Sequence, residues 1–554
     1  MGKKILFSTC LIMFITGCGG GGGGDINIEP ATVDNSVNNS NNSTTTTGGG
    51  NENPDEVCAS YTNSGGQTIQ GEFDSDTANC NYSASFLDAG NPLEVDMTIP
   101  ALDNCGAHVF DGSVFVGRNY DTDEDLANAG ISEGGDGPVL TIEAGATLAF
   151  QTSSDFMIIN RGSQIFAAGT MSEPITLTSV SDINGTVNPE DVQQWGGVVI
   201  NGFGVTNKCA YTGNRGESGF STTDCHVAAE GAAGLDTSHY GGDNDQDSSG
   251  RLEYVRVKHT GAQVANGDEL NGISFGGVGS NTTVRYLQVY STFDDGIEMF
   301  GGSVSFENFV AVYARDDSID IDEGWNGSIT NALVIQAEND GNHCIESDGL
   351  GSFSSLTDAE VESKISQGLQ SSPTITNLTC IISPNETGTH DPGAGWRLRE
   401  GITPTISDSM IISSAATDSS ANNYCLRIDN RSQQAALDGD LVLTSNLFAC
   451  QDLSRGDVGS ESAAEWATAN GNQFATVTAA TDPTATADTG LVLLEGSPAI
   501  YSVDFDAMVI DDAAPSVAAP ASGQIGGILQ ASDWAAGWTY GIFDGSRAQP
   551  LWFE

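Results

Sequence analysis

Short apolar runs separated by glycine, asparagine and aspartate make up the chain from about residue 139 onward. Residues 139–150, 252–258 and 283–290 are examples, each rich in valine, leucine or isoleucine. Hardly any stretch carries apolar residues at the three- and four-residue intervals of an amphipathic helix. The pattern predicts an all-β fold, which leaves a sandwich, a barrel, a propeller or a β-helix.

An internal repeat decides among these architectures. Ile273, Ile297, Ile319 and Ile345 stand at equivalent places in similar blocks, at spacings of 24, 22 and 26 residues. A second apolar strand keeps step with them at positions 287 and 289, 309 and 311, and 333 and 335. A propeller blade needs ~40 residues or more, whereas one coil of a parallel β-helix fits this length. The repeat therefore predicts a parallel β-helix.

The repeat also predicts which side chains face outward. Successive side chains of a strand point to opposite faces, so the isoleucines should form an inward ladder and their neighbours should face out. Stacked coils place equivalent residues on neighbouring strands about 4.8 Å apart. The predicted outward column is acidic at one end and basic at the other: Glu298, Asp320, Glu346, Arg397 and Arg427.

Further acidic residues flank this column, on the preceding turn at positions 294, 295, 316 and 317 and two residues further on at 322 and 348. Stacked like charges repel, so we expect the patch to hold a cation, to share protons or to be neutralised by bases on an adjoining coil. A cleft that binds a sugar acid through Ca²⁺ and guanidinium groups is one interpretation, and a self-neutralising salt-bridge column is the other. The calcium candidates here are Asp316, Asp317 and Asp320; the catalytic candidates are Asp295, Asp317, Asp320, Arg397 and Arg399; the ligand-binding candidates are Glu298, Glu346 and Arg427.

Two other segments alternate potential oxygen ligands for Ca²⁺. Asp243, Asp245 and Asp247 precede a glycine and resemble a calcium loop, but the distal glutamate of an EF-hand is missing. Residues 121–125 (DTDED) show the same alternation without a closing glycine. Such patterns also arise by chance in an acidic chain. Ca²⁺ is the expected cofactor, with the first of these loops as a further candidate site.

Other motifs of known chemistry are missing from the sequence. It contains no CxxC, no GxSxG elbow and no GxxxxGK[ST] phosphate loop. His259, His343 and His390 are far apart and form no metal-ligand pattern. Trp195 and Trp325 adjoin glycines at predicted corners of the coils, where packing is a better interpretation than a platform for sugars.

The N-terminus has the features of an export signal. Lys3 and Lys4 precede the apolar residues 5–15, a stretch too short to span a bilayer, which takes ~20 residues. Residues 15–18 (ITGC) resemble the lipobox of bacterial lipoproteins, in which the cysteine, here Cys18, becomes the acylated first residue. Gly19 in place of an aspartate favours the outer membrane. An ordinary signal peptide with a chance cysteine is the alternative.

The charge balance limits the possible partners. Removal of residues 1–17 takes away two lysines and no acidic residue from a net charge of −56, which leaves −58. Such a chain repels nucleic acid and anionic lipid. We therefore expect no nucleic-acid partner and attachment to the membrane through the lipid alone, although solubility accounts for most of the acidic residues.

The cysteines indicate disulfides, as expected for an exported protein. Nine of the eleven remain after Cys10 in the signal and Cys18 under lipid are set aside. Proximity pairs Cys209 with Cys225, Cys344 with Cys380, and Cys425 with Cys450. One of Cys58, Cys80 and Cys105 must then stay unpaired.

Several blocks of the sequence resemble a known family. They are residues 195–202 (WGGVVING), 252–257 (LEYVRV), 269–275 (ELNGISF), 293–302 (FDDGIEMFGG), 395–401 (GWRLREG) and 534–538 (WAAGW). In this order they look like those of bacterial surface and secreted proteins with a right-handed, pectate-lyase-like β-helix. The resemblance runs from about residue 100 to the C-terminus and implies export and this fold. It implies no family-wide activity and carries over no catalytic residue.

We predict five segments: a signal peptide (1–17), a flexible linker (18–57), a cap with the first strands (58–138), the β-helix (139–483) and a C-terminal coil and cap (484–554). The preferred function is a lipoprotein of the outer membrane, on the cell surface, whose calcium-stiffened β-helix binds a glycan or an outer-membrane partner. The alternative is a calcium-dependent polysaccharide lyase or a glycoside hydrolase acting on acidic polysaccharide. The fold alone does not choose between a binding protein and an enzyme.

Overall fold

A computed structural model describes residues 58–230, 238–265, 268–383, 394–413, 424–450, 452–476, 500–504, 517–520 and 523–553. The predicted signal peptide, Cys18, the linker and His390 lie outside these residues. Within them, no helix combines the length and the apolar character needed to cross a bilayer.

Ten parallel strands form one continuous sheet, which we call the front sheet. Each strand pairs in register with its equivalent in the next coil. In spatial order the strands are Val114–Val116, Met157–Ile159, Val198–Asn201, Ile273–Gly276, Ile297–Phe300, Ile319–Asp322, His343–Asp348, Ala394–Arg399, Tyr424–Ile428 and Asp452–Arg455.

A second sheet of eighteen strands supplies the other two faces of the solenoid, and we call it the bent sheet. Its strands are parallel except where Glu72–Asp74 meets Asn79–Tyr82. They are Glu72–Asp74, Asn79–Tyr82, Met97–Ile99, His108–Phe110, Val139–Ile142, Thr147–Phe150, Gln164–Ala168, Ile175–Ser179, Gly250–Thr260, Thr283–Thr292, Ser305–Ala314, Ser328–Ile335, Thr374–Ile382, Thr405–Ser407, Met410–Ser413, Val442–Thr444, Leu447–Cys450 and Gln473–Thr476.

The long strands turn a corner without ending. The first half of Gly250–Thr260 pairs with Gln164–Ala168 and the second half with Ile175–Ser179. One left-handed residue makes the corner in each coil, and an asparagine, which tolerates a positive φ better than most residues, stands there in three successive coils. At this corner Asn331 donates to Asn308 at 3.1 Å and Asn377 donates to Asn331 at 3.2 Å. The side chains thus bond one coil to the next.

The predicted inward ladder is confirmed. Ile273, Ile297, Ile319 and Ile345 point into the core with at most 1 % of their surface exposed. Trp396 continues the ladder by pairing with Ile345. Burying a side chain of this size contributes about 1.5–3 kcal/mol, so the repeated isoleucines both fix the register and stabilise the solenoid.

A glycine precedes Ile273 and Ile297, and the close stacking of the coils requires it at these two positions; Ser318 and Cys344 precede Ile319 and Ile345. A Cβ atom added at Gly272 would lie 2.4 Å from the carbonyl oxygen of Gly296. One added at Gly296 would lie 2.4 Å from the carbonyl oxygen of Ser318. The recurring Asn/Asp-Gly-Ile block is therefore set by backbone packing as well as by the core.

Helices and small hairpins form the connections. The α-helices are Asp123–Ala129, Val180–Ile183, Asp358–Ser366, Ser432–Asp438 and Ala463–Ala469, and the 3₁₀ turns are Asp103–Cys105, Phe353–Ser355 and Gln530–Ser532. The hairpins pair Ser60–Thr62 with Thr68–Gln70, Tyr211–Thr212 with Ser221–Thr222, Val227–Ala228 with His239–Tyr240, Gln263–Ala265 with Asp268–Glu269, Asp457–Val458 with Glu461–Ser462, and Val503–Asp504 with Gln524–Ile525.

The three predicted disulfides are confirmed: Cys209–Cys225, Cys344–Cys380 and Cys425–Cys450. A fourth joins Cys58 to Cys80, one of the pairings that the sequence left open. Each closed loop restricts the unfolded chain, a contribution of typically 2–4 kcal/mol.

The described part of the C-terminal segment lies along the outer side of the bent sheet. Trp552 donates to the carbonyl oxygen of Gln336 at 2.9 Å, and the Gln288 amide donates to the carbonyl oxygen of Tyr540 at 2.7 Å. Buried apolar side chains such as Trp538 and Ile542 fill the interface. This segment covers part of the outer side of the bent sheet, whereas the acidic column lies on the front sheet.

Candidate functional site

The outward column of the front sheet has the predicted register. Glu298 pairs with Asp320, Asp320 with Glu346, Glu346 with Arg397, and Arg397 with Arg427. The period-two alternation of these strands turns all five side chains away from the buried isoleucines. The structure therefore brings together the acidic and basic residues that the sequence grouped.

The basic half of this column is neutralised by its nearest acids. Arg397 donates to Glu346 at 2.8 Å, and Arg399 donates to the other oxygen of Glu346 at 2.6 Å. Arg399 also pairs with Asp348. Burial lowers the pKa of the Arg399 guanidinium, but its hydrogen bond to Asp348 and the charges of Asp348 and Glu346 outweigh that effect, so its pKa lies above the ordinary value.

The acidic half is not neutralised in this way. Among the described residues, no lysine or arginine forms an ion pair with Asp295, Glu298 or Asp320. Burial, followed by the charges of neighbouring carboxylates, raises the pKa of all three groups well above the ordinary range. The same causes raise the pKa of Asp317 and Asp322. This half of the site must bind protons or a cation to be stable near neutral pH.

A ladder of side chains on the preceding turn explains why some of these carboxylates are buried. Asn271 accepts a hydrogen bond from the backbone N–H of Asp295, and Asp295 accepts one from the N–H of Asp317 at 2.9 Å. Asp317 in turn accepts one from the N–H of His343 at 2.7 Å. Asp295 and Asp317 therefore also hold neighbouring coils together, a structural role that the sequence analysis missed.

His343 ends this ladder in a buried contact. Its Nδ1 lies 2.8 Å from Asp317 Oδ1 and its Nε2 lies 2.8 Å from the Tyr424 hydroxyl. Burial lowers the pKa of His343 to about 4, so the ring is neutral at pH 7. No role for His343 was predicted from the sequence, although its alignment with Asp295 and Asp317 in the repeat is the signal that could have revealed one.

The acidic residues fall into three neighbouring groups whose potential ligand atoms lie within 4.8 Å of one another. The groups are Asp294, Asp295 and Asp316; Asp295, Glu298 and Asp320; and Asp317, His343 and Glu346. The predicted set Asp316, Asp317 and Asp320 is thus divided among the three. Carboxylate oxygens are the ligands that Ca²⁺ prefers, and the first and second groups offer oxygen atoms alone.

The family model for a pectate-lyase-like beta helix domain matches residues 127–539. The chain belongs to this family. A search of curated proteins and a search of solved structures found no match. Membership confirms the predicted resemblance and fold class, and it supports a carbohydrate-related function at the level of the superfamily.

In this pectate-lyase-like β-helix, Asp243, Asp245 and Asp247 of the first loop predicted to bind calcium do not converge on one metal site. Asp245 pairs with Arg215 at 2.6 Å. Asp247 accepts from the backbone N–H groups of Gly134 and Phe203 at 2.5 and 3.0 Å. Among the described residues, no group of clustered metal-ligand atoms includes Asp243, Asp245 or Asp247. The loop is fixed by long-range contacts that a local pattern does not reveal.

The DTDED segment also has a structural role, because Asp123 begins a helix capped by Thr122. Asp123 does join Asp224 and His226 in a cluster of possible ligands. However, Arg161 donates to His226 Nδ1 at 2.7 Å, which leaves the proton of the neutral ring on Nε2, facing Asp123 at 3.0 Å. The nitrogen nearest the carboxylates is therefore a donor and not a free metal ligand.

The predicted packing role of the two tryptophans matches the structure. Trp195 and Trp325 are fully buried. Their indole N–H groups donate to the carbonyl oxygens of Lys258 at 2.8 Å and Val304 at 2.9 Å. Because both rings are enclosed, neither presents a face to a sugar.

Proposed function

We propose that this β-helix binds acidic polysaccharide on its front sheet, with a divalent cation held by the acidic half of the column. The observation that carries the proposal is the contrast between the two halves: Glu346 is paired with arginines, whereas Asp295, Glu298 and Asp320 have no basic partner among the described residues. A bound Ca²⁺ would remove the repulsion and supply positive charge to a uronate carboxylate.

The arginine end of the column offers a second contact for the same ligand. Arg427 lies beside Arg455 of the next strand; Arg427 forms an ion pair with Asp429 and Arg455 one with Asp452, but 33 % of the Arg427 side chain remains accessible. Guanidinium groups bind carboxylates in a fork geometry. A polyuronate lying along the column would meet a cation at one end and guanidinium groups at the other.

The contacts of the arginines favour binding over catalysis. Elimination from a uronic acid needs an unprotonated base that accepts the proton from C5, and the catalytic candidates for that role are Arg397 and Arg399. Both are bonded to Glu346, and the pKa of Arg399 lies above its ordinary value. We therefore propose a binding protein, with lyase or hydrolase activity as the outcome that would contradict it.

Binding to polyuronates tests the proposal. We expect purified residues 58–554 to bind polygalacturonate or alginate in millimolar Ca²⁺ and to lose that binding in EDTA, as measured by calorimetry. Asp320→Asn should weaken binding about tenfold or more, since it removes a charged ligand and leaves the core untouched.

Asp103→Asn is the matched control, because Asp103 is exposed and distant from the column in the chain. It should bind as the unmodified protein does. Binding that survives EDTA and Asp320→Asn would contradict the proposal, and unsaturated or shortened products would show an enzyme instead.

We further propose that the protein is exported and anchored to the outer membrane through Cys18, where it binds glycans or an outer-membrane partner at the cell surface. The basic head, short apolar stretch and ITGC block of the sequence support this. The four disulfides are in keeping with an oxidising compartment.

Cys18→Ala is expected to give a protein that no longer pellets with membranes. The acyl chains would supply the apolar surface that holds such an acidic chain at an anionic bilayer. Fractionation of cells followed by a salt wash measures the effect, with Cys10→Ala as the control that should remain anchored. Retention of Cys18→Ala in the washed membranes would refute the lipoprotein assignment.

A further inference from the structure

A separate cavity of about 370 Å³ lies in the N-terminal cap. One wall is the hairpin of Ser60–Thr62 and Thr68–Gln70, and the other is the loop that precedes Met97–Ile99. Its volume falls within the roughly 300–1,000 Å³ of small-molecule sites. Most of its lining residues are exposed, so it opens to solvent.

The walls of this cap cavity are held in place before any ligand binds. The Cys58–Cys80 disulfide ties the start of the hairpin to the bent sheet. The Tyr61 hydroxyl donates to the carbonyl oxygen of Phe86 at 2.8 Å and joins the two walls. Asn63 accepts from the N–H groups of Gly65 and Gln67, which fixes the turn of the hairpin. A preformed site loses less entropy when a ligand binds.

The lining suits a neutral, hydroxyl-rich ligand. Amide and hydroxyl side chains near one another offer hydrogen-bond donors and acceptors. Tyr61, Ile69 and Val95 form an apolar floor. The polar residues are Asn63, Ser64, Gln67, Ser85 and Asn91. Glu94 and Arg118 are the charged lining residues, and they pair with each other at 2.6 Å. The cavity therefore carries no net charge, although the chain as a whole is strongly acidic.

We propose that the cap cavity is a second carbohydrate site, which binds a neutral sugar unit without a metal ion. The front-sheet site differs in its ligand and in its need for a metal ion, because the proposed binding at the acidic column requires a charged ligand and a cation. The hydroxyl groups of a hexose match the mixed donors and acceptors, and its C–H face matches the apolar floor. This inference does not depend on the function proposed for the front sheet.

The test is a titration of the purified full-length protein, in EDTA, with glucose, galactose, mannose and their short oligosaccharides, followed by calorimetry and saturation-transfer NMR. We expect at least one neutral sugar to bind. Gln67→Ala should weaken that binding about three- to tenfold, the effect of losing one or two hydrogen bonds. Ser85→Trp should fill the cavity and abolish binding.

Gln530→Ala, at an exposed glutamine outside the cavity, is the matched control and should bind normally. Melting curves establish that each variant is folded. The proposal is overturned if no neutral sugar binds, if Ser85→Trp binds as well as the unmodified protein, or if only uronates compete for the cavity. Asp320→Asn should leave neutral-sugar binding unchanged, so the two proposed sites can fail independently.

Discussion

Ile319→Asp is expected to abolish folding. The Ile319 side chain is fully buried in the inward ladder and pairs with Ile297 on the neighbouring strand. An aspartate there would place a carboxyl group among apolar side chains with no donor, which costs several kcal/mol or more, beyond the lost burial of about 1.5–3 kcal/mol. A domain has only about 5–15 kcal/mol of stability to lose. Circular dichroism and limited proteolysis of the purified variant would measure the loss.

Asp320→Asn is the matched control, one residue away. Asp320 faces outward between Glu298 and Glu346, so the amide should be accepted without loss of the fold. If Asp320→Asn unfolds the protein while Ile319→Asp is tolerated, the register of the front sheet is wrong by one residue. The acidic column and its arginines would then point into the core.

The register of the front sheet could be predicted from the repeated isoleucines, whereas the second strand was predicted wrongly by one residue in one coil: Phe309 and Ala311 pair with Ala332 and Val334, not with Leu333 and Ile335. Equivalent isoleucines fix which strands stack, and strand alternation then fixes which neighbours face outward. The three predicted cysteine pairs follow from proximity along the chain, since their partners lie 16, 36 and 25 residues apart. The corner inside each long strand could not be predicted, because residues as different as Tyr254, Asn308 and Asn331 adopt the left-handed conformation there. Tertiary stacking, rather than local preference, imposes that bend.

The predicted site was less complete than the predicted fold. Local patterns identified acidic residues but not their partners, which come from distant parts of the chain. Asp247 resembled a calcium ligand, yet it accepts hydrogen bonds from Gly134 and Phe203. Asp295 and Asp317 resembled catalytic residues, and the structure adds that each binds a backbone N–H of the next coil. Composition and spacing contain no information about the contacts of Asp247, whereas the repeat aligns Asp295 and Asp317 with each other and so gives a signal for theirs.

The column was expected either to neutralise itself or to bind a ligand. Its basic half is neutralised by ion pairs, and its acidic half is not. Glu346 and Asp348 pair with Arg397 and Arg399, as a salt-bridge column would. Asp320, two coils from Arg397, lies beyond the reach of these guanidinium groups. The distance of the arginines along the stack therefore decides which carboxylates are left to bind protons or a cation.

Removal of the Asp320 charge is expected to stabilise the protein at pH 7 in EDTA. Burial, followed by the charges of Glu346 and Asp317, raises the Asp320 pKa, so the folded state binds a proton more tightly than the unfolded state. Stability from this group is present below the unfolded pKa of about 3.9 and is lost as the pH rises toward the folded value. Asp320→Asn avoids that loss, which amounts to about 1.4 kcal/mol of the free energy of unfolding for each unit by which the pKa is raised.

Melting curves from pH 5 to pH 8 test the sign of this effect. In EDTA the melting temperature of Asp320→Asn should exceed that of the unmodified protein at pH 7, and the difference should shrink toward pH 5, where Asp320 is closer to protonation. Burial lowers the pKa of His108 and of His343 to about 4. Both histidines contribute the same pH dependence of stability to the two proteins, so their contribution cancels from the comparison. Asp103→Asn should show no such difference.

Millimolar Ca²⁺ should reverse the order of the two proteins. A cation bound by the folded state alone stabilises it by mass action, and the unmodified column has the charge that holds the cation, whereas Asp320→Asn has lost part of it. The unmodified protein should therefore melt at the higher temperature in Ca²⁺ and at the lower one in EDTA. If Ca²⁺ changes neither curve, the column shares protons instead of binding a cation. If Asp320→Asn is also the less stable protein in EDTA at pH 7, the carboxylate repulsion on which the proposed site depends does not exist.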